Sequence, residues 1–262
     1  MYETLASVYE WLVPDELLEP EGAVAAFAPL VEQLPPGARV LDCAAGTGQL
    51  AVGLALRGFD VTASDASATM VARTEGLATR RGATLRAAVC RWDELRAGER
   101  AFDAVFCVGN SLTHAGPRPA RRASLAAMAS ALAPGGLLVL TSRNWERLRS
   151  AQPRLEAADG LVERGGRRGL VVRHWTIPER WDERHELEVA VALVGDDGGV
   201  ELHDERLAFW PFTERDLGED LRAAGLEPAD STYEPEVERY AVTARRPGAG
   251  PGAGSPRPAA SW

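Results

Sequence analysis

A chain of 262 residues, 45% hydrophobic and 26% charged, has the make-up of a soluble globular protein and the length of one α/β domain with an insertion. Its formal net charge of −9 argues against nucleic acid as the main partner, and no run approaches the roughly 18 consecutive apolar residues of a membrane helix, so no membrane partner is expected. All 29 basic residues are arginine, which excludes a lysine Schiff base and a P-loop lysine; the start Met1-Tyr2-Glu3-Thr4 lacks a secretion leader, so a cytoplasmic location is expected.

Residues 1–36 read as a helical cover. Leu5, Val8, Tyr9 and Leu12 recur at helical spacing until Pro14-Asp15 interrupts, and a second piece from about Ala23 to Leu34 ends at Pro35-Pro36-Gly37. Over residues 37–150 strands alternate with helices. The strands are Ala38–Leu41, Phe59–Ala63, Thr84–Val89, Phe102–Cys107 and Gly136–Thr141; the helices are Thr47–Arg57, Ala66–Arg81 and Pro119–Leu132. This alternation predicts an α/β fold with a doubly wound parallel sheet. The rhythm changes over residues 151–212. Leu170–Ile177, His185–Val194 and Val200–Phe209 are extended runs, the last two joined by the turn Gly195-Asp196-Asp197-Gly198-Gly199, and they predict an antiparallel β insertion after the fifth strand. A helix over Thr213–Ala224, with Thr213 as N-cap and Asp216 three residues on, and strands near Leu226–Tyr233 and Arg239–Arg245 complete the core over residues 213–246. The tail from Pro247 to Trp262 is mostly Gly, Pro, Ala and Ser and is expected to be disordered. Cys43, Cys90 and Cys107 form no CxxC pair and read as reduced core thiols. His114, His174, His185 and His203 show no ligand spacing, so no metal is expected.

The segment Val40-Leu41-Asp42-Cys43-Ala44-Ala45-Gly46-Thr47-Gly48-Gln49-Leu50 carries the strongest signal for chemistry. A strand runs into a turn with two glycines and opens a helix. This places a binding loop at the carboxyl edge of the sheet, where backbone without a Cβ lets a ligand approach. Two readings compete. Gly46-Thr47-Gly48-Gln49-Leu50-Ala51 satisfies a dinucleotide fingerprint with alanine last, and Asp65 stands 19 residues after Gly46, where a ribose-binding acid is expected. Asp42, however, would repel a pyrophosphate and attract a cationic or zwitterionic ligand. S-adenosylmethionine carries a sulfonium and an ammonium and no phosphate, so the acid-x-Ala-x-Gly-x-Gly pattern suits it better. Asp65 offers two oxygens to both ribose hydroxyls and also suits a helix N-cap. Met70, one turn on, either touches the adenine or fills the core. After the third strand, Trp92 either flanks the adenine or packs in the core, and Asp93 is placed to accept from the adenine amino group.

Five segments follow one another in order. They are Val40 through Gly48; Gly58 through Ser67; Phe102-Asp103-Ala104-Val105; Gly109-Asn110-Ser111-Leu112-Thr113-His114; and Ala133-Pro134-Gly135-Gly136-Leu137-Leu138-Val139 running into Arg143-Asn144-Trp145. On these segments residues 38–145 resemble a class I S-adenosylmethionine-dependent methyltransferase and, within that superfamily, the glycine/sarcosine N-methyltransferases. The resemblance implies a Rossmann-like sheet of the seven-stranded methyltransferase type and S-adenosylmethionine as cofactor. It implies methylation of a small metabolite, with N-methylation of glycine, sarcosine or dimethylglycine as the leading reaction. O- or N-methylation of a natural product, or a non-catalytic module that binds S-adenosylmethionine or a nucleotide, are the alternatives.

For the donor site the resemblance, taken with the residue readings above, implies Asp42, Ala44, Gly46, Gly48, Asp65, Ala66, Met70, Trp92, Asp93 and Cys107, with Tyr9, or alternatively Tyr2, folding over it from the N-terminal helix. Before the tryptophan the family has asparagine, where this chain has Arg91. Arg143 is implied to bind the acceptor's carboxylate, and guanidinium matches carboxylate as a two-pronged fork on chemistry alone; Asn110 belongs to the same acceptor site. His114 is the candidate catalytic residue. It takes a proton from the acceptor amine, or positions the reactants, or is a core histidine bonded to backbone. Among Trp175, Trp181, Phe209, Trp210 and Phe212, the candidates to contact the acceptor beneath a lid-forming insertion are Trp175 and Trp210; the alternative is the insertion's own small core. The family also has an arginine before the first strand, whereas this chain has no basic residue before Arg39 and reads Glu19-Pro20-Glu21-Gly22 there. The expected partner is a small carboxylate-bearing acceptor, and homo-oligomerisation stays open.

Overall fold

Apolar runs closed by turn residues become strands, and the periodic runs between them become helices. The computed structural model describes residues 4–95, 101–151, 154–157 and 160–248. After a 3-10 segment at Ala6–Leu12, the first half of the chain forms α1 (Pro20–Ala25), α2 (Ala28–Val31), β1 (Arg39–Asp42), α3 (Gln49–Leu56), β2 (Asp60–Asp65), α4 (Ala68–Arg81), β3 (Arg86–Val89), β4 (Phe102–Cys107), α5 (Arg118–Ala131) and β5 (Leu132–Arg143). There follow α6 (Trp145–Ala151), β6 (Leu155–Ala157), β7 (Val162–Arg164), β8 (Arg167–Thr176), β9 (His185–Val194), β10 (Val200–Phe209), α7 (Glu214–Ala223), β11 (Glu227–Ser231) and β12 (Arg239–Arg245).

The main sheet has the order β11-β12-β5-β4-β1-β2-β3. Neighbours from β3 to β5 are parallel, while β12 is antiparallel to both β5 and β11. Alternate residues of its central strands face opposite layers. Val40, Ala104, Phe106 and Val139 join Val24, Leu50 and Leu54 of α1 and α3 on one side; Leu41, Val105 and Leu138 join Leu125, Met128, Leu217 and Leu221 of α5 and α7 on the other. Burial on both faces explains why these strands read as unbroken apolar runs. The strand order reverses between β1 and β4, so their carboxyl ends flank the crevice where doubly wound sheets bind ligands.

The second sheet has the order β10-β9-β8-β6, with β7 also paired to β8, and its pairings are antiparallel. One face, with Trp175, Leu187, Val189, Leu207 and Phe209, shares a core with Leu5, Val8 and Trp11 of the N-terminal segment and with Trp145 and Leu148 of α6. Insertion and N-terminus thus form one roof.

The structure departs from the sequence expectations at several elements. The first helical piece is a 3-10 segment broken at Val8 (φ −125°, ψ 17°). The second splits into α1 and α2 at Phe27, because Pro29 in the first turn of α2 has no N–H with which to continue a helix from before it. β5 runs on to Arg143, and α6, β6 and β7 were not expected. Tyr2 and residues 249–262 of the tail lie outside the described residues.

Candidate functional site

β1 ends in Asp42, which is 1% exposed and whose Oδ1 has no hydrogen-bond partner among the described residues. Burial pushes its pKa up to about 7; the Ala44 amide opposes this and the charge of Asp65 adds to it. The loop that follows is tied down from three sides. Ala45 N–H donates to Ser64 O (3.0 Å), Gly46 N–H to Asp65 Oδ2 (3.0 Å), and the Thr74 hydroxyl to Gly46 O (3.0 Å). Asp65 Oδ1 accepts from Ser67 N–H (2.9 Å), so one carboxylate joins the glycine loop to the start of α4.

The two glycines do different work, although both have positive φ (56° and 92°). A Cβ on Gly46 would meet nothing within 4 Å, whereas one on Gly48 would press within 2.9 Å of Thr74 Cα. Gly46 leaves space beside the loop, and Gly48 lets α4 pack against it.

Beside this loop lies a cavity of about 450 Å³, lined by Asp42, Ala44 and Gly46, by Asn110 and Arg143 at the ends of β4 and β5, by Tyr9, and by the roof residues Trp175, Leu187, Val189 and Phe209. Asn110 is the described non-glycine residue with positive φ (68°), a conformation asparagine tolerates better than most. Its Oδ1 accepts from Arg143 N–H (3.0 Å) and from Trp145 Nε1–H (3.2 Å), fixing where β5 ends. The Arg143 guanidinium sits 5.4 Å from the centre of the Trp175 ring. Burial first, and then the positive charges of Arg239 and Arg173 against the attraction of Glu156 and Glu238, bring its pKa down to about 10. Burial also raises the Tyr9 hydroxyl, an effect the charge of Asp65 reinforces.

Tyr9, Asp42, Ala44, Gly46, Asn110, Arg143 and Trp175 are therefore brought together. Gly48, Asp65, Ala66, Met70, Trp92, Asp93, Cys107, His114 and Trp210 do not line this cavity, each for a visible reason. Gly48 is spent on packing. Asp65, half-buried, braces the loop through the Gly46 and Ser67 amides, with exposed Ala66 next to it. Met70 and Cys107 are core residues, 2% and 0% exposed. Trp92 donates its indole N–H to Cys43 O (2.7 Å), and Asp93 is exposed and paired with Arg91. His114 Nδ1 lies 2.8 Å from the Ala208 carbonyl and so carries the proton; burial lowers the ring's pKa to about 4, which makes it a weak proton acceptor. Trp210 is held by its backbone N–H on Thr113 O (2.7 Å).

Among the lining residues are two further arginines: Arg173, which the sequence puts near the aromatic cluster of the insertion, and Arg239, to which the sequence gives no role. Arg173 was within reach, since it lies two residues from Trp175 on β8 and so on the same face. Arg239 faces Arg143 across the β5–β12 pairing, which no local pattern announces.

A buried acid with an unpaired oxygen beside a glycine whose missing Cβ leaves open space fits a donor with a cationic amino-acid end. A family profile described as a methyltransferase domain matches residues 40–136. Human glycine N-methyltransferase is 31% identical over 207 residues, covering 71% of this chain and 68% of that protein. The chain belongs to the class I S-adenosylmethionine-dependent methyltransferases. This methyltransferase is also 42% identical over 109 residues to the glycine/sarcosine N-methyltransferase of Halorhodospira halochloris, a match of 41% of each chain, so it spans about two-fifths of that relative's length. An S-adenosylmethionine-dependent methyltransferase from Clostridium acetobutylicum superposes with a TM-score of 0.75 at 17% identity over 94% of this chain and 99% of that one, and shares the fold. S-adenosylmethionine is the cofactor of this family.

Proposed function

We propose that this methyltransferase methylates the amino nitrogen of a small carboxylate-bearing metabolite such as glycine, sarcosine or dimethylglycine. One observation carries the reading: a single cavity joins a buried acid with an unpaired oxygen, Asp42, to an arginine without an ion-pair partner among the described residues, Arg143. The match to glycine and sarcosine N-methyltransferases supports the acceptor class.

When bound, S-adenosylmethionine supplies a methyl group activated by a sulfonium. Asp42 offers Oδ1 to the donor's cationic end, and Gly46 and Ala44 leave its amino-acid portion room. Asp65 uses one lone pair per oxygen on the amides of Gly46 and Ser67 and keeps others for the ribose hydroxyls. Arg143, stacked over Trp175, takes the acceptor carboxylate as a fork. Guanidinia facing the same space disfavour an ammonium there and so favour the neutral amine that attack requires. The N-terminal segment and the insertion, acting as the acceptor lid, keep water out. Holding the reactants in attack geometry supplies roughly 7–11 kcal/mol in favourable systems, so no dedicated base is needed; His114 serves instead to anchor the roof through Ala208.

The test is turnover with S-adenosylmethionine and each of the three acceptors, followed as S-adenosylhomocysteine and methylated product by mass spectrometry. Arg143→Ala should raise KM for the carboxylate acceptor by about tenfold or more with a smaller change in kcat, the loss of one charged hydrogen-bonded contact. Tight binding of S-adenosylhomocysteine with no product from any amine would refute the assignment.

A further inference from the structure

Arg143 is not alone. Arg173 from β8 in the roof and Arg239 from β12 at the edge of the main sheet line the same cavity. Arg239 stands opposite Arg143 in the strand pairing, and its charge is felt by both Arg143 and Arg173. Among the described residues none of the three makes an ion pair, although arginines elsewhere in the chain are paired repeatedly, three of them to Asp220 alone. Two acids lie near. Glu156 faces Arg173 across the β6–β8 pairing and attracts both Arg143 and Arg173 without closing on either, and the exposed Glu238 is paired to Arg147 (3.5 Å). Arg143 and Arg173 are half-buried and Arg239 is exposed at the edge, and with no acid among the described residues closing on any of them the positive charge on the two half-buried guanidinia costs free energy until anions enter.

A second, independent feature points the same way. Trp175 is 3% exposed and lines the cavity, yet its indole N–H has no acceptor among the described residues. A buried donor without a partner is costly, and the oxygen of an anionic group satisfies it.

We infer that the acceptor carries two carboxylates, held between them by Arg143, Arg173 and Arg239. A single carboxylate, as in glycine, leaves the second positive site empty. Arg143 and Arg239 are neighbours on the main sheet and Arg173 belongs to the roof, so the guanidinia meet the cavity from two sides, which suits two separated carboxylates and not one compact anion. This inference rests on the reading of the cavity as the acceptor site of a methyltransferase and narrows it to amines with two acidic groups.

The test uses the full chain saturated with S-adenosylhomocysteine and calorimetric titration of matched pairs: iminodiacetate against sarcosine, L-aspartate against L-asparagine, and L-glutamate against L-glutamine. At least one dicarboxylate should bind about tenfold or more tightly than its partner, the yield of one additional charge-assisted contact. Arg173→Leu and Arg239→Leu should each bring that ratio toward one while leaving the affinity for S-adenosylhomocysteine within about twofold. A ratio below tenfold in all three pairs overturns the inference with no variant needed. A large loss of S-adenosylhomocysteine affinity in Arg239→Leu or Arg173→Leu also overturns it, by assigning that arginine to the donor's carboxylate. Failure of the wild-type chain to bind S-adenosylhomocysteine at all removes the methyltransferase reading of the cavity, whereas binding without dianion preference removes only this narrower claim.

Discussion

Asp42 is a residue whose energetics and function pull in opposite directions. A carboxyl group buried to 1% exposure with one oxygen unpaired is held against its preference for water, and its pKa near 7 records that cost. Because the folded value lies above the ordinary Asp range, the fold binds this proton more tightly than the unfolded chain does. The associated stability is fully present below about pH 4, is lost at about 1.4 kcal/mol per pH unit as pH rises toward 7, and stays lost above it. Asp42→Asn keeps the shape and cannot ionise. Urea denaturation of the two ligand-free proteins should show the Asn variant gaining on wild type from pH 5 to pH 7, with a plateau above. A stability difference that does not change with pH would contradict this. At pH 6 to 7, a cation arriving beside Asp42 should also expel its proton, visible as a binding enthalpy for S-adenosylhomocysteine that depends on the buffer.

Between elements, the clearest electrostatic joint is the one linking α5 to α7. Asp220 of α7 is fully buried and accepts from Arg118, Arg121 and Arg122 of α5 at 2.7–2.9 Å, and the Arg121 guanidinium also lies 4.8 Å from the centre of the Phe212 ring. Burial alone would push the carboxyl up, but these hydrogen bonds outweigh it and hold its pKa below the ordinary Asp value. The stability it contributes is therefore present above the usual Asp range and is lost as pH falls through the depressed folded value. Asp220→Asn leaves buried guanidinium charge uncompensated and should cost about 3–5 kcal/mol in urea unfolding at pH 7; a loss under 1 kcal/mol would mean the cluster relaxes to water. Nothing in the sequence marks this joint, because Asp220 and its arginines are about a hundred residues apart. Strand bounds, by contrast, were legible. Phe102–Cys107, His185–Val194 and Val200–Phe209 agree residue for residue, since apolar alternation and Gly/Asp turns act locally. The N-terminal cover is helical, as the spacing predicts, but its first piece takes the tighter 3-10 form, where Leu5, Val8 and Trp11 pack on the insertion. The same distinction governs the site. The glycine loop and Arg143 are legible in motifs and Arg173 in its place two residues before Trp175, while Arg239 enters only when the fold brings β12 to the cavity.

For the molecule as a whole, the cavity lies between two bodies of unequal character. Its floor is the carboxyl edge of a sheet buried on both faces, which is stiff; its roof is a smaller sheet sharing a core with a short 3-10 segment. A ligand that touches Asp42 below and Trp175 above ties one to the other. It binds only the folded state, so at a hundredfold excess over its Kd it adds about 2.7 kcal/mol. For a chain of this size that corresponds to a rise of about 5–10 °C in the unfolding midpoint. S-adenosylhomocysteine should produce that rise, and NAD at the same concentration should not, because the Asp42 carboxylate attracts the ammonium of the first and repels the pyrophosphate of the second. Hydrogen exchange should locate the effect: amides of the 42–48 loop, of the segment around Tyr9 and of β8 and β9 should slow on binding, while those in the middle of β4 and β5, already protected by burial, should change little. Protection confined to the loop, with the roof unaffected, would show that floor and roof respond independently and that the insertion is no lid. Slowing on both sides of the cavity would make the roof a participant in every binding event, and Tyr9, the part of the N-terminal segment lining the cavity beside Asp42, the place where donor binding is transmitted to it.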